Sequence, residues 1–372
     1  MLAKTSAGPD LLVDALPSLA SLPRAGLVSG PTPIEPLAGL PDVYLKRDDL
    51  TATDYGGNKI RKLDYLLADA LARGRRTLTV FGYAGSNFVA ATSWHARKLG
   101  LQVQGGLLPQ RPAVYVADNL SISLHCGTDL FLRDADSGIV MAAAGRAVRS
   151  LAGGRLPYWI PPGGSNALGA LGFVAAAFEL QSQIEGGLLP CPAALYVPFS
   201  SMGTVAGLCV GLALAGLPTR IEAVQVVSDR HAGRDALGRL IDRLARLLRR
   251  HGIRLPQTDF LMSRVSVRTK FYGGEYALAT PTVKAAMTRF TEATGARSDS
   301  AYSGKALACL FADRDAALNP GPALYWHTFS ATALPPGVVR TPLSQVPDAL
   351  KPYWAFARVA DGPGAPPECI YA

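Results

Sequence analysis

Charge is scarce in this chain. Asp, Glu, Lys and Arg make up only 17% of its 372 residues, against 49% apolar residues. That balance excludes an intrinsically disordered chain and allows a sizeable core, enough for two domains or one large two-lobed unit. Long hydrophobic runs are also missing. The longest, around residues 168–178 and 206–217, are short and glycine-bearing, so they read as buried helices and exclude a membrane span. Asp10 and Asp14 interrupt the only early apolar stretch, which argues against a signal peptide. Cysteine is sparse: Cys126, Cys191, Cys209, Cys309 and Cys369 are odd in number and widely spaced. No pair has metal-ligand spacing, so the expectation is a reduced, cytoplasmic protein with small buried thiols and no metal site.

The basic excess of +9 is partly local, because residues 234–254 hold seven arginines. There Leu237, Leu240, Ile241, Leu244, Leu247 and Leu248 recur at helical spacing. This predicts an amphipathic surface helix with an arginine-rich outer face. Nucleic-acid binding would want aromatic residues among the basic ones, and that stretch has none. His95, His125, His231 and His251 form no ligand pair and read as structural or surface residues.

What is present centres on Asp54-Tyr55-Gly56-Gly57-Asn58-Lys59-Ile60-Arg61-Lys62-Leu63. Two glycines allow a tight turn or close approach to a ligand. Ile60, Leu63, Leu66, Leu67 and Leu71 then follow at helical spacing. Lys59 is therefore expected where a loop becomes a helix, at the positive end of the helix dipole. The dipole and a neighbouring cation would both lower its pKa and make it a better nucleophile near neutrality. A solvated lysine in an ordinary turn has the same short signature, so the motif needs its context.

Further along, β-formers and helical patterns alternate. Strands are expected at 43–46, 77–81, 101–108 and 128–132, with helices at 88–99, 114–125 and 139–151. Pro161-Pro162-Gly163-Gly164 breaks the pattern. A helix at 167–185, strands at 193–197 and 220–227, a capped helix opening at Thr280-Pro281 and a strand at 323–327 follow. Strand-helix alternation builds parallel, twisted α/β sheets flanked by helices. The expected division is a large domain of residues 1–61 and 164–372 and a small one of residues 62–163, with a Pro-rich, irregular tail.

Two loops after strands could hold ligands. Ser200-Ser201-Met202-Gly203-Thr204 leads into a helix, where converging backbone N–H groups suit a phosphate; an ordinary βα turn looks the same. Gly82-Tyr83-Ala84-Gly85-Ser86-Asn87 also opens a helix, at the carboxyl end of a strand, where open α/β sheets bind ligands. Ser86 and Asn87 could equally be a helix cap.

Lys46-Arg47-Asp48-Asp49-Leu50-Thr51 and Tyr55-Gly56-Gly57-Asn58-Lys59-x-Arg61-Lys62-Leu63 together resemble the family of D-cysteine desulfhydrase and 1-aminocyclopropane-1-carboxylate deaminase. The resemblance runs from about Gly30 to about Thr328. It implies a two-lobed fold of the tryptophan-synthase-β type, fold type II of the pyridoxal-phosphate enzymes, with the cofactor between the lobes. By that resemblance Lys59 holds pyridoxal 5'-phosphate as a Schiff base, with Asn58 beside it. Ser200, Ser201, Met202, Gly203 and Thr204 form the phosphate cup, where Met202 replaces a usual Gly. Asn87 hydrogen-bonds the cofactor's phenolic oxygen, Ser86 lies by the substrate carboxylate, and Tyr272 and Tyr302 face the substrate.

Ser303 stands where the deaminase branch has Glu, and Thr328 where it has Leu; both match the desulfhydrase branch. Phe88 and Phe329 depart from the family pattern, and His327 matches a family His or serves the core. The implied activity is β-elimination on a small amino acid. Cyclopropane deamination, racemisation, β-replacement and a non-catalytic cofactor-binding relative are the alternatives. Relatives are commonly homodimers, and neither nucleic acid nor membrane is an expected partner.

Overall fold

The computed structural model describes residues 10–152 and 156–354. Cys369 and the end of the expected Pro-rich tail lie outside the described residues. The chain divides into two compact units, one of residues 1–65 and 164–331, the other of residues 66–163 and 332–372.

The elements follow in chain order. They begin with α1 (Leu11–Ala15), β1 (Ile34–Pro36), β2 (Val43–Lys46), α2 (Lys59–Ala72), β3 (Thr77–Tyr83) and α3 (Asn87–Lys98). Next come β4 (Gln102–Leu108), α4 (Val114–His125), β5 (Asp129–Leu132), α5 (Asp136–Ala152), β6 (Tyr158–Trp159) and α6 (Ala167–Glu185). Then follow β7 (Ala194–Phe199), α7 (Gly203–Leu214), β8 (Arg220–Gln225), α8 (Arg234–Arg250), α9 (Thr258–Ser263) and β9 (Val265–Arg268). The last are α10 (Pro281–Thr294), α11 (Ser303–Asp315) and β10 (Ala323–Trp326).

The first unit carries a six-stranded sheet in the order β1-β2-β10-β7-β8-β9. All its neighbours pair in parallel except β1, which runs antiparallel to β2. The strand β7 is buried at every residue, as a central parallel strand covered on both faces must be. The helix α6 is long and apolar enough to cross a membrane, yet 67% of it is buried inside the protein. In α8, Leu237, Leu240, Ile241, Leu244 and Leu248 are buried while Arg239, Arg243, Arg246, Arg249 and Arg250 are exposed, which makes it an amphipathic surface helix.

The Lys-Arg-Asp-Asp motif does structural work in this unit. Asp48 is fully buried and accepts from both Arg61 (2.7 Å) and the Trp326 indole (2.7 Å). Arg61 also reaches Glu179 on α6 at 2.9 Å, and Lys46 pairs with the same carboxylate. Burial alone would raise the Glu179 pKa, but the two cations outweigh it and hold it at about 2. Breaking one partner of such a network leaves a buried charge uncompensated, at roughly 3–5 kcal/mol. The network ties the first turn of α2 to β2, β10 and α6, and so fixes where Lys59 sits.

The second unit carries a four-stranded sheet, β5-β4-β3-β6, parallel throughout. The segment from Thr332 groups with this unit and not with the first one, where the sequence suggests it belongs. Side-chain bonds supply the reason: Arg340 reaches Asp118 at 2.8 Å, the Ser121 hydroxyl accepts from Thr341 N at 3.0 Å, and the Tyr353 hydroxyl accepts from Gln110 N at 3.2 Å.

Candidate active site

In the first unit, Gly57 (φ +102°) turns the chain into α2, and the turn is pinned from two sides. Its N–H donates to Asp48 O at 3.0 Å, and Asn58 N donates to Thr328 O at 3.1 Å, just beyond β10. Lys59 then begins α2 and lines a pocket together with Asn58, Ser200, Ser201, Met202, Thr204, Tyr302 and Thr328. Asn58 Nδ2 reaches Thr204 Oγ1 at 3.4 Å. The Lys59 amine lies over the Tyr302 ring, 5.6 Å from its centre. Its pKa is lowered to about 8 by burial, and the Asp299 carboxylate partly opposes that shift. The direction agrees with the sequence argument, but the cause is desolvation and not a neighbouring cation.

The loop from Ser200 to Met202 joins β7 to α7 and aims the α7 N-terminus at this pocket. Met202 adopts the left-handed region, φ +69°, which a residue with a Cβ disfavours by about 1–2 kcal/mol. Gly203 lies against Ser165 and Lys62: a Cβ there would come within 2.7 Å of Ser165 Oγ and 2.9 Å of the Lys62 amine and would displace them. Ser165 Oγ in turn donates to Ser201 Oγ at 2.8 Å and accepts from Lys62 at 3.3 Å. Lys62 is the residue that reading the sequence missed. It sits one helical turn after Lys59, fully buried, with a pKa driven well down by burial and then by the Lys59 charge. The i, i+3 spacing of Lys59 and Lys62 was the available signal, since such residues share a helix face. A phosphate fits here: a buried amine, small hydroxyls and a helix N-terminus meet beside Gly203.

Of the two tyrosines expected to face the substrate, Tyr302 lines the pocket and Tyr272 is not among its lining residues. The Tyr302 hydroxyl pairs with the hydroxyl of Tyr276 at 2.7 Å, their rings packed edge to face. Tyr276, not Tyr272, is thus the tyrosine brought to Tyr302. Tyr272 is half-buried with its ring over the Lys305 amine, which donates to the carbonyls of Tyr272 (2.6 Å) and Glu275 (3.2 Å). Burial also lowers Lys305 to about 8, but its amine is held by these carbonyls, whereas Lys59 lines the pocket.

Ser303 is fully buried and bound to Asp299: its hydroxyl donates to Asp299 Oδ2 at 2.8 Å and accepts from Asp299 N at 2.6 Å. Burial raises the Asp299 pKa against the hydrogen bonds it accepts from Ser303 and from backbone N–H groups. His327 packs against Phe290 and Tyr325, and burial lowers its pKa to about 4, so it is a neutral core residue. Phe329 is also buried, under the Arg297 guanidinium.

In the second unit, Ser86 caps α3, its hydroxyl accepting from Val89 N at 3.3 Å. Asn87 is half-buried at the first position of α3, with Asn119 Nδ2 donating to its Oδ1 at 2.7 Å. Phe88 points into the core at 2% exposure. Among the described residues no group of His, Cys, Asp and Glu could hold a metal ion.

A low-pKa lysine amine lining a pocket with small hydroxyls at a helix N-terminus suits a phosphorylated aldehyde ligand. The chain belongs to the pyridoxal-phosphate-dependent enzymes: the family described in those words matches residues 26–328. Its cofactor is pyridoxal 5'-phosphate. The chain is 34% identical over 327 residues to D-cysteine desulfhydrase of Yersinia pestis (strain Pestoides F), covering 85% of this chain and 96% of the relative. It is 33% identical over 320 residues to nocardicin C-9' epimerase of Nocardia uniformis subsp. tsuyamanensis, covering 84% and 94%. A solved structure of an ACC deaminase homologue superposes with a TM-score of 0.74 at 31% identity, covering 87% of this chain and 95% of that one.

Proposed function

We propose that this protein is a pyridoxal-phosphate-dependent lyase that carries out β-elimination on a small amino acid, in the manner of a D-cysteine desulfhydrase. The observation that carries the reading is the Lys59 amine, with its pKa near 8, over the ring of a tyrosine whose hydroxyl meets a second one. An amine of that pKa gains and loses protons readily near neutrality.

The parts then have distinct roles. Lys62, Thr204, Ser201 and the α7 N-terminus would hold the cofactor's phosphate, and Lys59 would hold its aldehyde end. The cofactor, when bound, supplies the electron sink for the pair left at the substrate α-carbon. The Lys59 amine would take the α-proton of bound substrate. The Tyr302–Tyr276 pair delivers a proton towards the departing β-group. With one water consumed, the products are a keto acid, ammonia and the protonated leaving group, which is hydrogen sulfide for cysteine.

Ser303 and Thr328 favour elimination over cyclopropane opening. Ser303 offers a neutral oxygen, already hydrogen-bonded to Asp299, where the deaminase branch has a carboxylate. A neutral group makes a weaker sink, which suffices when a thiolate leaves on its own.

The test is release of pyruvate and sulfide from D- and L-cysteine, with β-chloroalanine of each hand alongside. Faster turnover of 1-aminocyclopropane-1-carboxylate than of every β-substituted alanine sinks the reading. The epimerase relative, at nearly the same identity, supports one alternative: α-proton exchange with solvent deuterium and no pyruvate would move the assignment to racemisation.

A further inference from the structure

The first turn of α11 presents two groups to one loop of its own unit. Tyr302 stands at the start of the helix and Lys305 one turn on, so the two share a helix face. Tyr302 meets the Tyr276 hydroxyl at 2.7 Å. The Lys305 amine donates to the carbonyls of Tyr272 (2.6 Å) and Glu275 (3.2 Å) and lies 5.1 Å from the centre of the Tyr272 ring. Lys305 is fully buried, and helix preference does not explain its place, because a cation in a first turn meets the positive end of the dipole. The charge-assisted bonds to the loop carbonyls are what offset its burial.

The loop depends on such an anchor. Gly273, Gly274 and Ala277 all adopt the left-handed region, at φ +78°, +88° and +61°. For Ala277 that costs about 1–2 kcal/mol, and strain of this kind persists only where surrounding contacts over-determine it. The main-chain bonds at the two ends of the loop are long, 3.2 Å from Tyr272 N to Thr269 O and 3.4 Å from Leu278 N to Glu275 O. Tyr302, by contrast, is fixed from behind, its N–H donating to Asp299 Oδ1 at 2.6 Å. Tyr276 is therefore the member of the hydroxyl pair whose place is set by the loop.

We infer that Lys305 is a positioning residue that clamps the 272–276 loop by its carbonyls and so delivers the Tyr276 hydroxyl to Tyr302. The inference rests on the reading above, in which this pair moves a proton, and it adds what fixes the geometry of the pair.

The experiment uses the full chain loaded with pyridoxal 5'-phosphate, and β-chloroalanine of the hand that is turned over. Lys305→Met fills similar space without a donor. It should speed amide hydrogen exchange across 272–278 about 10-fold or more and leave that of the central strand β7 within about threefold. It should lower kcat about 10–100-fold, with cofactor Kd and substrate KM within about threefold of wild type, since Lys305 does not line the pocket. Adding Lys305→Met to Tyr276→Phe should lower kcat by less than about a further twofold, because the lysine acts through the tyrosine. Lys305→Gln, which keeps a shorter donor, should fall between wild type and Lys305→Met, and serves if the methionine variant does not fold. Wild-type exchange at 272–278 in the Lys305 variants overturns the proposal. So does a full kcat loss retained in the Tyr276→Phe background, which marks a merely structural role. A wild-type chain that turns over no β-substituted alanine overturns the underlying reading instead, and exchange at 272–278, which needs no substrate, then decides the clamp by itself.

Discussion

Lys62→Met should change stability and cofactor binding in opposite directions. The Lys62 amine is fully buried, beside Lys59 and against Ser165 and the Phe173 ring. Its pKa lies well below the ordinary 10.5 because burial penalises the charged form and the Lys59 charge adds to that. Without cofactor at pH 7, the unfolded chain keeps this lysine protonated more readily than the folded one does. Stability is therefore reduced at pH 7 and recovers as pH rises towards the unfolded-state pKa. The reduction cannot exceed the free energy of the gap from pH 7 to the ordinary lysine value, about 5 kcal/mol at ~1.4 kcal/mol per unit. Methionine fills the same space without the charge, so about 1–3 kcal/mol of that should return as added stability of the cofactor-free protein at pH 7, with a smaller gain near pH 10. With cofactor the sign reverses. A phosphate recovers the lysine charge, and loss of one charge-assisted hydrogen bond costs about 1.5–3 kcal/mol, or about 10–150-fold in Kd. Urea unfolding of the cofactor-free forms and a cofactor titration by absorbance measure the two halves. A cofactor-free variant destabilised by more than about 1 kcal/mol, or a Kd within about twofold of wild type, would refute the argument.

Three further outcomes follow from the same geometry. Borohydride reduction of the cofactor-loaded protein and peptide mapping should label Lys59; a label on Lys305 or Lys62 contradicts its assignment as the anchor. Tyr276→Phe and Tyr302→Phe should each lower kcat about 10–100-fold, the usual scale for a lost acid-base group, while Tyr272→Phe stays within about threefold; steady-state kinetics on whichever substrate is turned over decide, and equal losses for Tyr272 and Tyr276 refute the correction. Met202→Gly should stabilise the protein by about 0.5–1 kcal/mol, the relief of a left-handed residue less the added chain entropy, with thermal unfolding as the measure and a lowered Tm as the contrary result.

Much of the fold was legible along the chain because it depends on local periodicity and punctuation. The strand at 43–46 and the helices at 114–125 and 167–185 begin and end where the sequence pattern puts them. Thr280 caps α10 with Pro281 behind it, as the residue types demand. Lys59 at the start of α2 follows from two glycines and the leucine spacing after them. The antiparallel β1 was missed because Pro36 within it and Pro33 just before it mask a strand, and an edge position tolerates them. The helix α11 was missed because its chemistry-bearing start, Tyr302-Ser303-Gly304-Lys305, reads as a loop.

The sequence by itself determined which lysine starts a helix, most of the strand-helix alternation, and which loops follow strands, since each depends on neighbours a few residues apart. Only the tertiary structure decided which side chains meet. Lys62 reaches Ser165, Arg61 shares Glu179 with Lys46, and Tyr302 finds Tyr276 and not Tyr272, four residues away on the same glycine-rich loop. The physical reason is that a hydrogen bond or a desolvated amine depends on distances of a few tenths of an ångström between residues remote in the chain. Packing sets those distances, and hydrophobic spacing along the sequence does not encode them.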